Sequence, residues 1–295
     1  MACSVDDPAG PRLAYGRTGA GPDPVVALHG ITTHHRAFTT VARALRHPGG
    51  MAGLDLRGRG DSAKPDGPYG LPVHAGDVVR LMDALGVERG VLAGHSLGAF
   101  VATRTALDHP DRVRALVLID GGWARAGWWR RRLRPDGRAL SAGVAKAIRR
   151  LDMTFPDLDA LVRFWFPDAG IGIDDLPPDV ADVYRYDVEP VPGGWRPKAS
   201  ATAARKDAVW NRLRAPSARA LGRIDCPAAL VRASQGFAPG TPPTFTEPMR
   251  AYLAGRLDLR ADLLLEGATH YTVLADPANA ATVAGVIDDL TEATA

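Results

Sequence analysis

Cysteine is nearly absent from this 295-residue chain. Cys3 and Cys226 are the only two, which excludes a disulfide framework and any cysteine-based metal pattern. Long apolar runs are missing too, so no segment reads as a transmembrane helix and no membrane partner is expected. Met1–Gly10 lacks the charged-then-apolar pattern of an export signal. A cytoplasmic protein with reduced thiols is therefore expected. Charge of one sign is also scarce: the formal net charge is +3, with no basic tail, so no nucleic-acid partner is indicated. Lysine and asparagine are few beside alanine, arginine, glycine and proline, a composition that reflects the codons of a GC-rich bacterial genome.

What is present is an ordinary globular apolar content, 46%, ample for a large core. Apolar runs and amphipathic segments alternate, predicting an α/β fold: a mostly parallel sheet with helices on both faces. Strands are expected at Pro24–Leu28, Met51–Leu54, Val91–Ala93, Val113–Ile119, Pro227–Val231 and Leu263–Leu265. Helices are expected at His74–Leu85, Ala99–Leu107 and Pro277–Leu290. From Trp123 to about Leu221 the strand runs vanish, and tryptophan, arginine and proline become frequent. The expected division is a core of residues 1–122 and 222–295, interrupted by a helical cap insertion at 123–221.

The chemistry is concentrated at Gly94-His95-Ser96-Leu97-Gly98, behind the apolar run Val91-Leu92-Ala93. Strand, sharp turn and helix in that order form the layout of a nucleophile elbow. Its small flanking residues let the turn be tight enough to lift a serine oxygen above the sheet. A serine hydroxyl is a poor nucleophile at neutral pH and needs a base within hydrogen-bond reach. Three further blocks stand in order around the elbow. They are His29-Gly30, Asp55-Leu56-Arg57-Gly58-Arg59-Gly60-Asp61-Ser62 and Gly267-Ala268-Thr269-His270.

Together the four blocks resemble the α/β-hydrolase superfamily, specifically its capped, esterase-like serine hydrolases. The resemblance covers most of the chain and implies Ser96 as nucleophile. Serine at the elbow argues against dehalogenase and epoxide-hydrolase chemistry, for which this superfamily uses aspartate there. His270, in the loop before the last helix, stands where the family keeps its base. The acid is less direct. The common position, after the penultimate strand, here reads Arg232-Ala233-Ser234-Gln235-Gly236-Phe237 and holds no carboxylate. The family's second solution falls on Asp120, which closes a buried strand and would be costly there without a partner. Glu247, in the proline-rich loop Pro239–Pro248, is the alternative acid, and a dyad without an acid stays open. The resemblance also implies an oxyanion hole from the backbone N–H groups of Ile31 and Leu97.

Other residues invite plainer readings. His95 is expected to point away from the nucleophile, and His29 to shape its turn. His34 and His35 stand at the pocket mouth without a ligand-spaced carboxylate or cysteine, so no metal is expected. Asp55 and Arg57 are expected to pair or to cap their loop. Arg59-Gly60-Asp61 matches an adhesion tripeptide by coincidence. Trp128-Trp129-Arg130-Arg131-Arg132 is either a pocket for an aromatic or anionic substrate or a solvated helix face, and Phe164, Trp165 and Phe166 read as cap core. The implied activity is cleavage of a carboxylic ester or lactone through an acyl-enzyme, on a small-molecule acyl substrate and without a cofactor. The same residues would serve a thioester, a C–C bond or acyl transfer. The contrasting class is a non-hydrolytic binding or ring-forming protein. Oligomeric state is not legible.

Overall fold

The computed structural model describes residues 2–122, 135–166, 169–214 and 216–295. The Trp128–Arg132 cluster lies outside the described residues. In chain order the strands are β1 (Ala2–Val5), β2 (Leu13–Arg17), β3 (Val25–Leu28), β4 (Met51–Leu54), β5 (Gly90–His95), β6 (Val113–Ile119), β7 (Val188–Val191), β8 (Gly194–Pro197), β9 (Ala228–Ala233) and β10 (Leu259–Leu265). Eight of them form one sheet in the order β1-β2-β4-β3-β5-β6-β9-β10. The pairs β1–β2 and β2–β4 are antiparallel, and every pair from β4 to β10 is parallel.

The largely apolar runs of β3, β5, β6 and β9 follow from this position, because strands covered on both faces have no solvent-facing polar side. In β6, Leu116 and Leu118 face one layer while Ala115, Val117 and Ile119 face the other. The first layer is covered by the helices Leu71–Ala84 and Leu97–Asp108. The second is covered by Thr39–Ala44 and Pro277–Ala293. The helix expected from His74 starts three residues earlier, at Leu71, because Pro72 sits in its first turn, where a missing N–H costs nothing. β10 starts four residues before Leu263. It is an edge strand, and its charged Arg260 and Asp262 conceal it from an apolar pattern. The edge strand β1 and its neighbour β2, four and five residues long, are too short and too mixed to stand out in the sequence.

Between β6 and β9 the chain makes the helices Pro135–Arg150, Leu158–Trp165, Pro178–Asp187, Ala201–Arg214 and Ala218–Leu221. Strands are not absent from this segment, contrary to the sequence expectation: β7 and β8 pair as an antiparallel hairpin. Each is four residues long, contains a proline and is only half buried, so neither leaves an alternating apolar trace. Among the described residues no helix is long and apolar enough to cross a membrane.

Candidate active site

β5 delivers Ser96 at its C-terminal end with φ 54° and ψ −117°. A non-glycine residue in this region carries about 1–3 kcal/mol of strain and needs an enclosing structure to hold it. The flanking glycines explain how it is held. A Cβ on Gly94 would lie 2.4 Å from the Gly98 carbonyl oxygen, and one on Gly98 would lie 1.9 Å from that of Leu28. No side chain fits at either place. The helix begins at once with Leu97, whose N–H belongs to the first turn and has no intrahelical acceptor.

The turn after β3 stands opposite. A Cβ on Gly30 would lie 3.5 Å from Ser96 Cβ, which puts Gly30-Ile31 against the elbow. His29 is fully buried and locks this turn. Its Nε2 accepts from the Leu56 N–H at 3.0 Å, so its Nδ1–H donates to the Gly30 carbonyl at 2.7 Å. Burial holds its pKa down to about 3, so the ring is neutral. Two buried arginines grip the next carbonyls. Arg59 Nε donates to Ile31 O and Arg150 Nη2 to Thr32 O, both at 3.0 Å. With their carbonyls held this way, the peptides following Gly30 are fixed beside Ser96.

Asp120 follows β6, with φ 42°, and is 1% exposed. Its Oδ2 lies 2.5 Å from His270 Nδ1. The Thr244 hydroxyl donates to the same oxygen, and the Ala233 N–H donates to Oδ1 at 3.4 Å. The carboxylate thus has a partner for each buried oxygen, which is what makes its burial tolerable. A proton on Nδ1, donated to Asp120, leaves the Nε2 lone pair of a neutral His270 available as a base. His270 is 4% exposed, and its own N–H donates to the Gly236 carbonyl at 2.8 Å. Among the described residues no hydrogen bond joins Ser96 Oγ to His270. In substrate-free structures such contacts are often long and tighten only when a substrate binds.

Glu247 is not brought to this group. It opens the helix Glu247–Ala254, pairs with Arg250 and Arg232 at 3.2 and 3.4 Å, and its side chain is 66% exposed. The proline-rich loop does reach the site, but through Thr244. His95 is placed against the base. Its Nε2–H donates to the His270 carbonyl at 2.9 Å, and the two rings lie 4.7 Å apart. Burial holds its pKa at about 3, so a neutral ring packs beside His270. This contact spans 175 residues and leaves no local signal.

Of the two arrangements expected for the Asp55–Ser62 block, Asp55 takes the loop cap and not the pair with Arg57. It accepts from the His35 N–H and Nδ1 at 2.8 and 2.9 Å, from the Asp61 N–H at 2.9 Å and from Tyr186 Oη at 2.7 Å. Burial alone would raise its pKa, but His35, through its hydrogen bond and charge, holds the carboxyl well below the usual range. Arg57 instead grips Asp77 through Nε and Nη2 at 2.5 and 2.6 Å, a fork suited to a guanidinium. Arg59 is 0% exposed and pairs with Asp207 at 2.5 Å, so the adhesion-like tripeptide is not displayed. Phe164 packs inside the inserted segment, but Trp165 stands 5.3 Å from the Tyr271 ring beside His270, and Phe166 is 43% exposed. Among the described residues no group of three or more His, Cys, Asp or Glu is placed to hold a metal.

Comparison with known proteins agrees with this architecture. Residues 23–156 match a family model described as alpha/beta hydrolase fold. The crystal structure of E-2-(acetamidomethylene)succinate hydrolase superimposes with a TM-score of 0.79 at 25% identity, over 99% of each chain. The protein named "Putative carbamate hydrolase RutD" from Azorhizobium caulinodans is 38% identical over 102 residues, 34% of this chain and 38% of that one. A fluoroacetate dehalogenase from Burkholderia sp. is 38% identical over 107 residues, 35% of each. The matches to these curated relatives thus span well under half of their lengths.

Proposed function

We propose that this chain, which has the alpha/beta hydrolase fold, is a serine hydrolase cleaving a carboxylic ester or lactone through an acyl-enzyme. Residues 1–122 and 222–295 form the catalytic body in this reading, and 123–221 form a cap over it. The observation that carries the proposal is the buried contact of Asp120 Oδ2 with His270 Nδ1 at 2.5 Å, beside a strained serine on a glycine-flanked turn. A buried carboxylate orienting an imidazole is the support a serine nucleophile requires.

Each residue then has one task. Ser96 Oγ attacks the acyl carbon while its proton passes to His270 Nε2. Negative charge gathers on the former carbonyl oxygen, where the N–H groups of Ile31 and Leu97 receive it. Asp120 holds the ring tautomer and offsets the charge of the imidazolium. The bond to the leaving oxygen breaks, and that oxygen takes the proton from His270. Water repeats the sequence, giving its proton to His270 and its oxygen to the acyl carbon. The acid departs as Ser96 regains a proton. Serine rather than aspartate at the elbow favours this acyl chemistry over the halide displacement named for the Burkholderia relative.

Turnover of 4-nitrophenyl esters of increasing acyl length tests the proposal. Saturable hydrolysis lost by about 10⁴-fold or more in Ser96→Ala supports it. Hydrolysis that survives that substitution refutes it.

A further inference from the structure

A cavity of about 580 Å³ lies between the helix Pro135–Arg150 and the loop after β9. Small-molecule sites have volumes of this order. Its walls are largely apolar, with Ala142, Gly143 and Ala145 from the helix and Phe237, Pro242 and Pro243 from the loop. Lys146 and Arg149 also line it, three residues apart on one helix and hence on one face.

Among the described residues neither cation is matched with an acid within ion-pair distance, although the chain is rich in such pairs. Arg150, one residue further along, is buried against Asp187. The helix is therefore matched with an acid where its cation serves the fold, and not where its cations face the cavity. The Lys146 ammonium instead lies 5.2 and 5.7 Å from the ring centres of Phe164 and Trp165.

The cavity also borders the chemistry. The Phe237 ring that walls it lies 4.6 Å from the His270 ring. A Cβ on Gly143 would come within 2.3 Å of that same ring, so helix, Phe237 and His270 stack in sequence. Thr244, also in the wall, is the residue that donates to Asp120. An apolar enclosure with unpaired cations at one side suits an amphipathic anion. We infer that the cavity holds the non-reacting end of the substrate, an apolar body terminating in one carboxylate, which Lys146 and Arg149 neutralise.

This rests on the serine-hydrolase reading, so the test has one arm that needs no turnover. Ser96→Ala protein is titrated calorimetrically with 4-phenylbutanoate and with 4-phenylbutan-1-ol, which differ in charge and little else. The acid should bind about tenfold tighter, as a charge-assisted contact implies. Lys146→Gln with Arg149→Gln should erase that preference. In the second arm, the mono-4-nitrophenyl ester of adipic acid is compared with 4-nitrophenyl hexanoate. Lys146→Gln should raise KM for the charged ester about tenfold more than for the neutral one. Turnover of both esters without that difference overturns the inference alone. Equal binding of acid and alcohol overturns it as well. No turnover of either ester overturns the hydrolase reading, and the substrate assignment with it.

Discussion

On both faces of the main sheet the contacts are apolar, from Leu92, Leu116 and Leu230 on one side to Val91, Val117 and Val231 on the other. Between that body and the segment inserted after β6, apolar contacts from Trp210 and Leu221 are joined by a set of charged and polar ones. Arg59 and His74 meet Asp207, Tyr186 meets Asp55, Arg36 meets Asp182, and Lys198 meets Asp61. The inserted segment's own apolar clusters are small, and one of them, around Leu151 and Ala204, draws in Ile31. Apolar burial is non-directional and scales with area, so it suits a body whose job is rigidity. Ion pairs and hydrogen bonds are directional and leave stranded charges when half removed, so they fix where the insert sits. The proposed catalytic residues all come from the first kind of structure, and the cavity is completed by the second.

The sharpest way to separate the two regions is to remove chemistry without touching stability. Asp120→Asn should lower kcat by about 10³–10⁴-fold, as for other buried triad acids, with Tm nearly unchanged. Glu247→Gln should stay within about twofold. The reverse ranking would move the acid to the loop.

Stability comes next. In the body, Leu118→Ala should cost about 2–5 kcal/mol by opening a cavity. At the boundary, Asp207→Ala should cost about 3–5 kcal/mol, because Arg59 is left charged and buried. Replacing Arg59, His74 and Asp207 together with apolar residues should cost less than Asp207→Ala alone. Urea unfolding of the three variants decides it, and a triple variant less stable than the single one breaks the comparison.

Acid should act on both regions with the same sign. Burial holds His29, His34 and His95 neutral, with pKa values of about 3, 4 and 3 against the ordinary 6.5. Below pH 6.5 the unfolded chain therefore binds more protons than the folded one. Their contribution is complete above that pH and is lost as pH falls toward 3. Asp207 adds a later loss. Burial alone would raise its pKa, but His74 and Arg59 hold it at about 2, so its contribution disappears between about pH 4 and 2. Melting temperature should accordingly fall as pH drops from 6.5, and a rise over pH 6.5 to 4.5 contradicts the assignment of neutral buried histidines. The smallest effect is expected at Arg43→Ala. Its pair with Asp179 leaves the arginine side chain 70% exposed, and its loss should shift stability by no more than about 0.5 kcal/mol.

How much of this was legible depended on whether the cause was local. The elbow could be read because two glycines four positions apart record a close backbone approach directly in residue type. The parallel sheet could be read because strands buried on both faces must be apolar throughout. Asp120 and His270 stand 150 residues apart, yet each occupies a strand end or loop that the superfamily resemblance marks. Thr244, His95, Tyr186 and Asp207 were not legible in their roles, because each acts through a partner distant in sequence and no periodicity records it. Adjacency left open whether Asp55 would pair with Arg57 or cap its loop: opposite in charge and two residues apart, they turn to different partners, and Asp55 holds the Asp61 N–H. The insert's architecture was the least legible, since charged contacts do not produce the apolar stripes from which helices and strands are read.

The central claim is an activated Ser96, and reaction of the purified protein with a fluorophosphonate probe tests it most directly, with Ser96→Ala as control and peptide mapping of the adduct. Rapid, stoichiometric labelling confined to Ser96, absent in the alanine variant and slowed by Asp120→Asn, is the predicted result. A folded protein that stays unlabelled, or that is labelled at another residue, would contradict the account.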